Sequence, residues 1–159
     1  MTNSLVNGIR FEDLLDKGKT QVFLFTCPGN IPFSFGSHPW FVTNKRGVIA
    51  RWEILFRKNA SSSSWGHLHL NFLPPSQGLG IFPYFEKRFA YRSKLIRHVE
   101  GEIAERMIEV IENSPQSYPY KFKFLLTGPN SNTYAAWVLK SFPESGFKLP
   151  WNAFGKNYN

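Results

Sequence analysis

The sequence predicts an α+β domain: a largely antiparallel sheet with helices packed on it. Three observations point there. Aromatic residues are abundant, with 16 Phe, 6 Tyr and 5 Trp against 2 Met in 159 residues, and rings pack well on pleated surfaces. The strand candidates gather in one block between helical segments. The turn sequence Asn44-Lys45-Arg46-Gly47, with alternating segments on both sides, reads as a hairpin.

In chain order, residues 3–17 read as a short helix with Asn3 or Ser4 as cap, apolar Leu5, Ile9, Leu14 and Leu15, and Gly18 as its end. Gln21–Thr26 is a strand stopped by Cys27-Pro28-Gly29-Asn30. His38–Thr43 and Val48–Phe56 form the hairpin arms. Trp65–Phe72 alternates as one strand, with Trp65, His67, His69 and Asn71 on one face and Gly66, Leu68, Leu70 and Phe72 on the other. Ser61–Ser64 is an exposed loop, Pro74-Pro75 stops the preceding strand, and Gly/Pro-rich loop runs to Pro83. Glu86–His98 fits either a strand pair or an irregular segment. Glu100–Glu112 is the clearest helix, with an apolar stripe of Val99, Ile103, Ala104, Met107, Ile108 and Ile111. Tyr120–Leu126 alternates as a strand, and a turn at Gly128-Pro129-Asn130 leads into a helix from Ser131 to Lys140, with Tyr134, Trp137 and Val138 inward. The tail from Phe142 packs irregularly. No repeat or long linker divides the chain, so residues 1–159 are expected to form a single domain.

Composition narrows the function classes. One cysteine excludes an internal disulfide framework and a cysteine-based zinc cluster. No apolar run reaches the ~20 residues that span a bilayer, and the first residues lack the pattern of a signal peptide. A cytoplasmic protein without cofactor is the expectation. The net charge is +8, with an acidic patch only over 100–120. This balance suits an anionic partner without naming one.

Four constellations could carry chemistry. Asn130-Ser131-Asn132-Thr133 stands at a helix start. It reads as a cap, as a nucleophile, Ser131, at a dipole that stabilises an anion, or as an anion or oxyanion site of Asn130, Asn132 and Thr133. His38 is the candidate base. With Thr43 opposite Val48, Glu53 lies opposite His38 on the same face, able to fix its tautomer as a triad carboxylate does; the other reading pairs Glu53 with Arg51 or Arg57. His67 and His69 share a strand face, but no third ligand accompanies them, so no metal is expected. Lys87, Arg88, Arg92, Lys94 and Arg97, interleaved with Phe89 and Tyr91, form either a solvated basic face or a single-stranded nucleic-acid surface. His98 reads as a surface residue. Cys27, in a strand-end turn, reads as a buried thiol.

The segment Asn130-Ser131-Asn132-Thr133-Tyr134 resembles the Asn-Cys-Asn-Thr-Phe helix starts of the circularly permuted papain-like fold. That group holds the PPPDE peptidases, the lecithin:retinol acyltransferase relatives and the permuted NlpC-type hydrolases. Their order of His first and Cys later matches His38-Pro39-Trp40-Phe41-Val42 followed by position 131. The chain also resembles an uncharacterised bacterial family of unknown function with a His-x-Trp strand. Its further motifs are the Gly-Pro-Asn-Ser-Asn-Thr-aromatic start, here Gly128–Tyr134, the Pro143-Glu144-Ser145-Gly146 segment and the Leu149–Lys156 tail. The resemblance covers roughly residues 35–158 and implies a permuted papain-like hydrolase or acyltransferase acting on an amide or ester of a small molecule or peptide. Ser131 stands where the pattern has Cys. A hydroxyl depends on a well-placed base more than a thiol does, so the resemblance equally fits a binding module that has kept the fold without the chemistry.

Overall fold

The computed structural model describes residues 5–6, 8–85 and 87–159. Its centre is a six-stranded antiparallel sheet. In chain order the strands are β3 (Thr20–Pro28), β4 (Ser37–Lys45), β5 (Val48–Ile54), β6 (Ser64–Trp65), β7 (Leu68–Leu70) and β8 (Lys94–Glu100), arranged β6-β7-β5-β4-β3-β8. A two-stranded ribbon, β1 (Leu5–Val6) with β2 (Ile9–Arg10), precedes it. The helices are α1 (Phe11–Leu14), α2 (Glu102–Glu112), α3 (Ser114–Ser117) and α4 (Ser131–Leu139). The α+β class read from the sequence is therefore that of the molecule.

Period-two alternation explains why β3 and β4 are apolar almost throughout: both faces of the sheet are covered. Val22 and Leu24 of β3, Phe41 of β4 and Trp52 and Ile54 of β5 face α2 and α4, meeting Ala104, Met107, Ile108, Ile111, Tyr134 and Val138. Phe23, Phe25 and Cys27 of β3 and Trp40 and Val42 of β4 face the other way, against Phe11, Leu55, Leu73 and Leu79. The stripe read on α2 is the buried one, although Ile103 and Val99 are only partly covered.

Several elements differ from expectation for identifiable reasons. The helix expected over 3–17 is only the four residues of α1. Gly8, at φ 83°, turns β1 back on β2, while residues 1–4 and Asn7 lie outside the described residues. The strand expected over Trp65–Phe72 is split into β6 and β7 by Gly66, at φ 63°, whose missing Cβ makes room for the Lys121 carbonyl. Tyr120–Leu126 is not a strand: it alternates, with Tyr120 and Phe124 against the core and Phe122 exposed, but no strand pairs with it. Of the ambiguous segment 86–98, residues from Lys94 form β8 on β3, and Ala90 bridges Gly80. Glu86 lies outside the described residues.

The hairpin register shifts by two. Lys45, not Thr43, opposes Val48, because Arg46 (φ 51°) and Gly47 (φ 96°) alone make the turn. Positive φ at both central residues is the two-residue hairpin geometry that matches strand twist. Asn44 holds it, its Oδ1 accepting from Gly47 N at 2.7 Å. A shift of two preserves faces, so Glu53 stays on the His38 side, diagonal rather than directly opposite.

Candidate functional site

At the start of β4 a buried polar network interrupts the apolar core. His38 is 5% exposed, and Arg51 and Glu53 are fully buried. Arg51 and Glu53 are two apart on β5 and so share its face. The guanidinium grips the carboxylate as a fork, Nε to Oε1 at 2.8 Å and Nη2 to Oε2 at 2.8 Å. His38 Nε2 reaches Oε2 at 2.9 Å. Glu53 thus bonds both of the residues weighed for it, His38 and Arg51, at once. Arg51 completes its valence on the loop after β7, donating through Nη1 to the carbonyls of Pro74, at 2.7 Å, and Gln77. The guanidinium also lies 4.2 Å from the Trp40 ring centroid, and Trp40 stacks on His38 and donates to Pro75 O at 2.8 Å.

Burial alone pushes the Glu53 carboxyl up, but the Arg51 charge together with the His38 and Arg51 hydrogen bonds more than offsets it and holds the group at about 2. Glu53 is therefore an anion that accepts from His38 Nε2–H. That leaves Nδ1 as the ring nitrogen with no hydrogen bond to a described residue. A carboxyl held below its unfolded value of about 4.3 stabilises the fold above that pH, and the contribution is lost as pH falls through the folded value. Urea midpoints should thus be level from about pH 7 to 5 and fall steadily towards pH 2. A midpoint unchanged between about pH 5 and 3 would show that Glu53 is not ionised in the fold.

Ser131 is the first residue of α4, with Asn130 as N-cap. The helix reaches β4 through Asn132, whose Nδ2 donates to Ser37 O at 3.0 Å and whose Oδ1 accepts from Ser37 Oγ at 3.2 Å. Ser131 and His38 are next to this pair in sequence, but His38 alternates to the opposite face of β4 from Ser37, where its ring stacks on Trp40. Ser131 is 6% exposed, and its hydroxyl has no hydrogen bond to His38 or to any other described side chain. Two surface hollows of about 380 and 350 Å³ lie elsewhere, one around Lys19, Arg46 and Glu100 and one around Thr127, Trp151, Lys156 and Tyr158.

The anion site expected of Asn130, Asn132 and Thr133 is filled by the protein itself. Asn130 Oδ1 accepts from the amides of Asn132 and Thr133 at 2.9 and 3.3 Å, and Thr133 Oγ1 in turn accepts from Asn130 N–H at 3.1 Å, closing a capping box. Asn130 Nδ2 donates to Leu125 O, Leu126 O and Phe154 O, Asn132 Nδ2 also to Phe154 O, and Thr133 Oγ1 to Gly155 O. The Gly128–Tyr134 motif and the Leu149–Lys156 tail, far apart in sequence, are thus two halves of one knot. Gly155, at φ 92°, is required where a Cβ would sit 2.7 Å from the Asn130 amide.

The remaining candidates are placed as follows. His69 is held by Ser64 Oγ on Nδ1, at 2.7 Å, and by Arg57 O on Nε2, at 2.8 Å, with burial pushing its pKa down. His67 Nδ1 donates to Leu55 O at 2.9 Å. Both imidazoles are engaged in the fold, and no cluster of metal-ligating side chains occurs among the described residues. Cys27 is buried and receives Leu79 N–H at 3.3 Å, and burial pushes its thiol up to about 12, an environment opposed to a thiolate. Lys87, Arg88, Arg92, Lys94 and Arg97 are all exposed, and His98, also exposed, stacks on Phe23. Arg51, which sequence reasoning weighed only as a rival, is the missed member of the network. Its i, i+2 spacing from Glu53 on a strand was the available signal.

No helix among the described residues is long and apolar enough to cross a membrane. No curated protein and no solved structure matches the chain. A family model does, over residues 20–158, a span that holds the whole six-stranded sheet, the Arg51 network and both halves of the knot. The chain belongs to the family described as Protein of unknown function (DUF3750).

Proposed function

We propose that the chain is a hydrolase or acyltransferase of permuted papain-like type acting on an amide or ester bond. Ser131 is the nucleophile, His38 the base and Glu53 the residue that orients it. The observation that carries this reading is the His38 tautomer. Nε2–H is committed to a carboxylate that Arg51 keeps ionised, so Nδ1 is the proton acceptor. The Ser37–Asn132 contact brings the start of α4 to the start of β4; His38, whose ring stacks on Trp40 on the other face of β4, turns towards α4 in the substrate-linked rearrangement that this reading requires. Ser131 Oγ bonds to the substrate carbonyl carbon while its proton passes to His38 Nδ1. The imidazolium, facing Glu53, then protonates the departing amine or alcohol. Water or an acceptor alcohol releases the acyl group by the reverse sequence. Because the Asn132 and Thr133 amides are taken by the cap, the oxyanion falls to the backbone N–H of Ser131 and to donors brought by substrate-linked rearrangement.

A second reading, a non-catalytic module that holds an anionic ligand or nucleic acid, draws on two observations. Ser131 and His38 are nearly buried without a bond between them, and none of the five basic residues from Lys87 to Arg97 is ion-paired with a described residue. A fluorophosphonate probe followed by intact-mass analysis decides. The catalytic reading expects one adduct, on Ser131, absent in Ser131→Ala and at least about tenfold slower in His38→Ala. No adduct, together with single-stranded RNA binding whose salt slope drops by about 0.7 per basic residue replaced with Gln, establishes the second.

A further inference from the structure

One face of the molecule is apolar and exposed far beyond what single surface residues explain. It is built by the knot. The Asn130 amide binds the carbonyls of Leu125, Leu126 and Phe154 together, so the 121–126 loop and the tail are held side by side. The Phe154 ring meets Trp151 at 6.4 Å and Phe35 at 6.0 Å, which adds the 33–35 loop. Trp151 is 83% exposed, Phe35 63%, Phe122 59% and Leu126 55%. These are large side chains on short, tied-down loops. The Phe35, Phe154 and Trp151 rings are continuous, with Leu126 tied beside them through the shared Asn130 amide and Phe122 on the same loop as Leu126, and an exposed apolar cluster of this kind marks an interaction surface.

The charge around the patch is of one sign. Residues 29–44, 121–130 and 146–158 contain Lys121, Lys123, Lys148 and Lys156 and no Asp or Glu. Lys58 and Lys121 stand over the Phe122 ring at 5.8 and 5.3 Å. Phe, Leu and Trp at the centre with lysines at the rim is the pattern of a surface that sinks into the headgroup region while its cations meet acidic lipids. Leu125 and Leu126 offer no ring face for a base to stack on, which separates this face from a single-strand groove. We infer that it docks on an anionic lipid bilayer, Trp151, Phe154, Leu126 and Phe35 entering the acyl boundary and the lysines lying at the phosphates. The inference stands apart from the catalytic reading and uses none of its residues.

The test is co-sedimentation of the full chain with vesicles of phosphatidylcholine and phosphatidylserine at roughly three to one, and of phosphatidylcholine alone, with tryptophan emission read in parallel. Binding to the acidic vesicles with a blue shift is expected, and weak binding to the neutral ones. Trp151→Ser with Phe154→Ser removes the shift and the binding. Both side chains are exposed, and the Phe154 carbonyl that holds the knot remains. Lys121→Gln with Lys123→Gln lowers partitioning roughly 30-fold. Ser131→Ala leaves it unchanged, which keeps this outcome separate from the catalytic test. Absence of binding to either vesicle overturns the proposal. So does binding insensitive to the Trp151 and Phe154 changes. Capture of single-stranded RNA, or a concentration-dependent dimer, abolished by those same two changes would assign the face to that partner instead and equally overturn it.

Discussion

Arg51→Met is expected to cost about 3–5 kcal/mol at pH 7 and to invert the pH dependence of stability. The guanidinium is fully buried and is the only cation among the described residues that forks Glu53. Removing it strands a carboxylate among Trp40, His38 and the Pro74–Gln77 carbonyls, the situation in which breaking a buried pair is most destabilising. The sign of the pH effect follows from linkage. With Arg51, the folded carboxyl lies below its unfolded value, so acid weakens the fold. Without Arg51, burial dominates and the folded carboxyl lies above its unfolded value. The folded state then binds the proton more tightly, and acid strengthens the variant. Urea unfolding at about pH 7 and pH 4 measures both slopes. Glu53→Gln added to Arg51→Met should recover part of the loss at pH 7, because no charge is left behind. Parallel pH profiles for wild type and Arg51→Met would show that the fork does not govern Glu53.

The degree to which this site was legible depends on periodicity. The side of the sheet on which Glu53 and His38 lie was readable, because alternation survives the two-residue error in the hairpin register. Their direct opposition was not, because the error came from reading a four-residue loop where Arg46 and Gly47 turn alone. Long side chains forgive a diagonal placement, so the 2.9 Å contact forms regardless. Tyr120–Leu126 shows the opposite case. Its alternation is genuine, but alternation reports only that one side is covered, and here Tyr118 and Tyr158 meet Tyr120 while Phe56 and His67 meet Phe124, without a ladder. The split of Trp65–Phe72 at Gly66 hinges on a carbonyl from residue 121, a contact that no local window contains. Among the helices, α2 was readable because its stripe is continuous, whereas the amino-terminal segment offered apolar residues at spacings that suit a ribbon as well as a helix.

Asn130→Ala is expected to cost about 3 kcal/mol, more than the loss of a helix cap, which is typically ~1 kcal/mol. The remainder comes from the other end of the side chain. Asn130 Oδ1 accepts from two amides of α4, while Nδ2 donates to Leu125, Leu126 and Phe154. Truncation removes that donor from all three carbonyls; Leu125 O keeps Gly128 N–H and Phe154 O keeps the Asn132 amide, so it is Leu126 O that is left without its partner, and an unpaired buried polar group costs ~1–3 kcal/mol. Two further substitutions separate capping from fastening. Asp and Ser are as good as Asn at an N-cap, so if capping were the whole role, Asn130→Asp and Asn130→Ser would melt near the wild type. If the amide fastens the tail, both fail. Ser retains the cap but reaches none of the three carbonyls, and Asp turns a negative charge onto them and should be the worst of the three. Hydrogen exchange adds the spatial signature. Amides of the 151–158 tail should lose protection in Asn130→Ser while those of β3 and β4 keep it, because the tail is tied down through Asn130, Asn132 and Thr133 and the sheet is not.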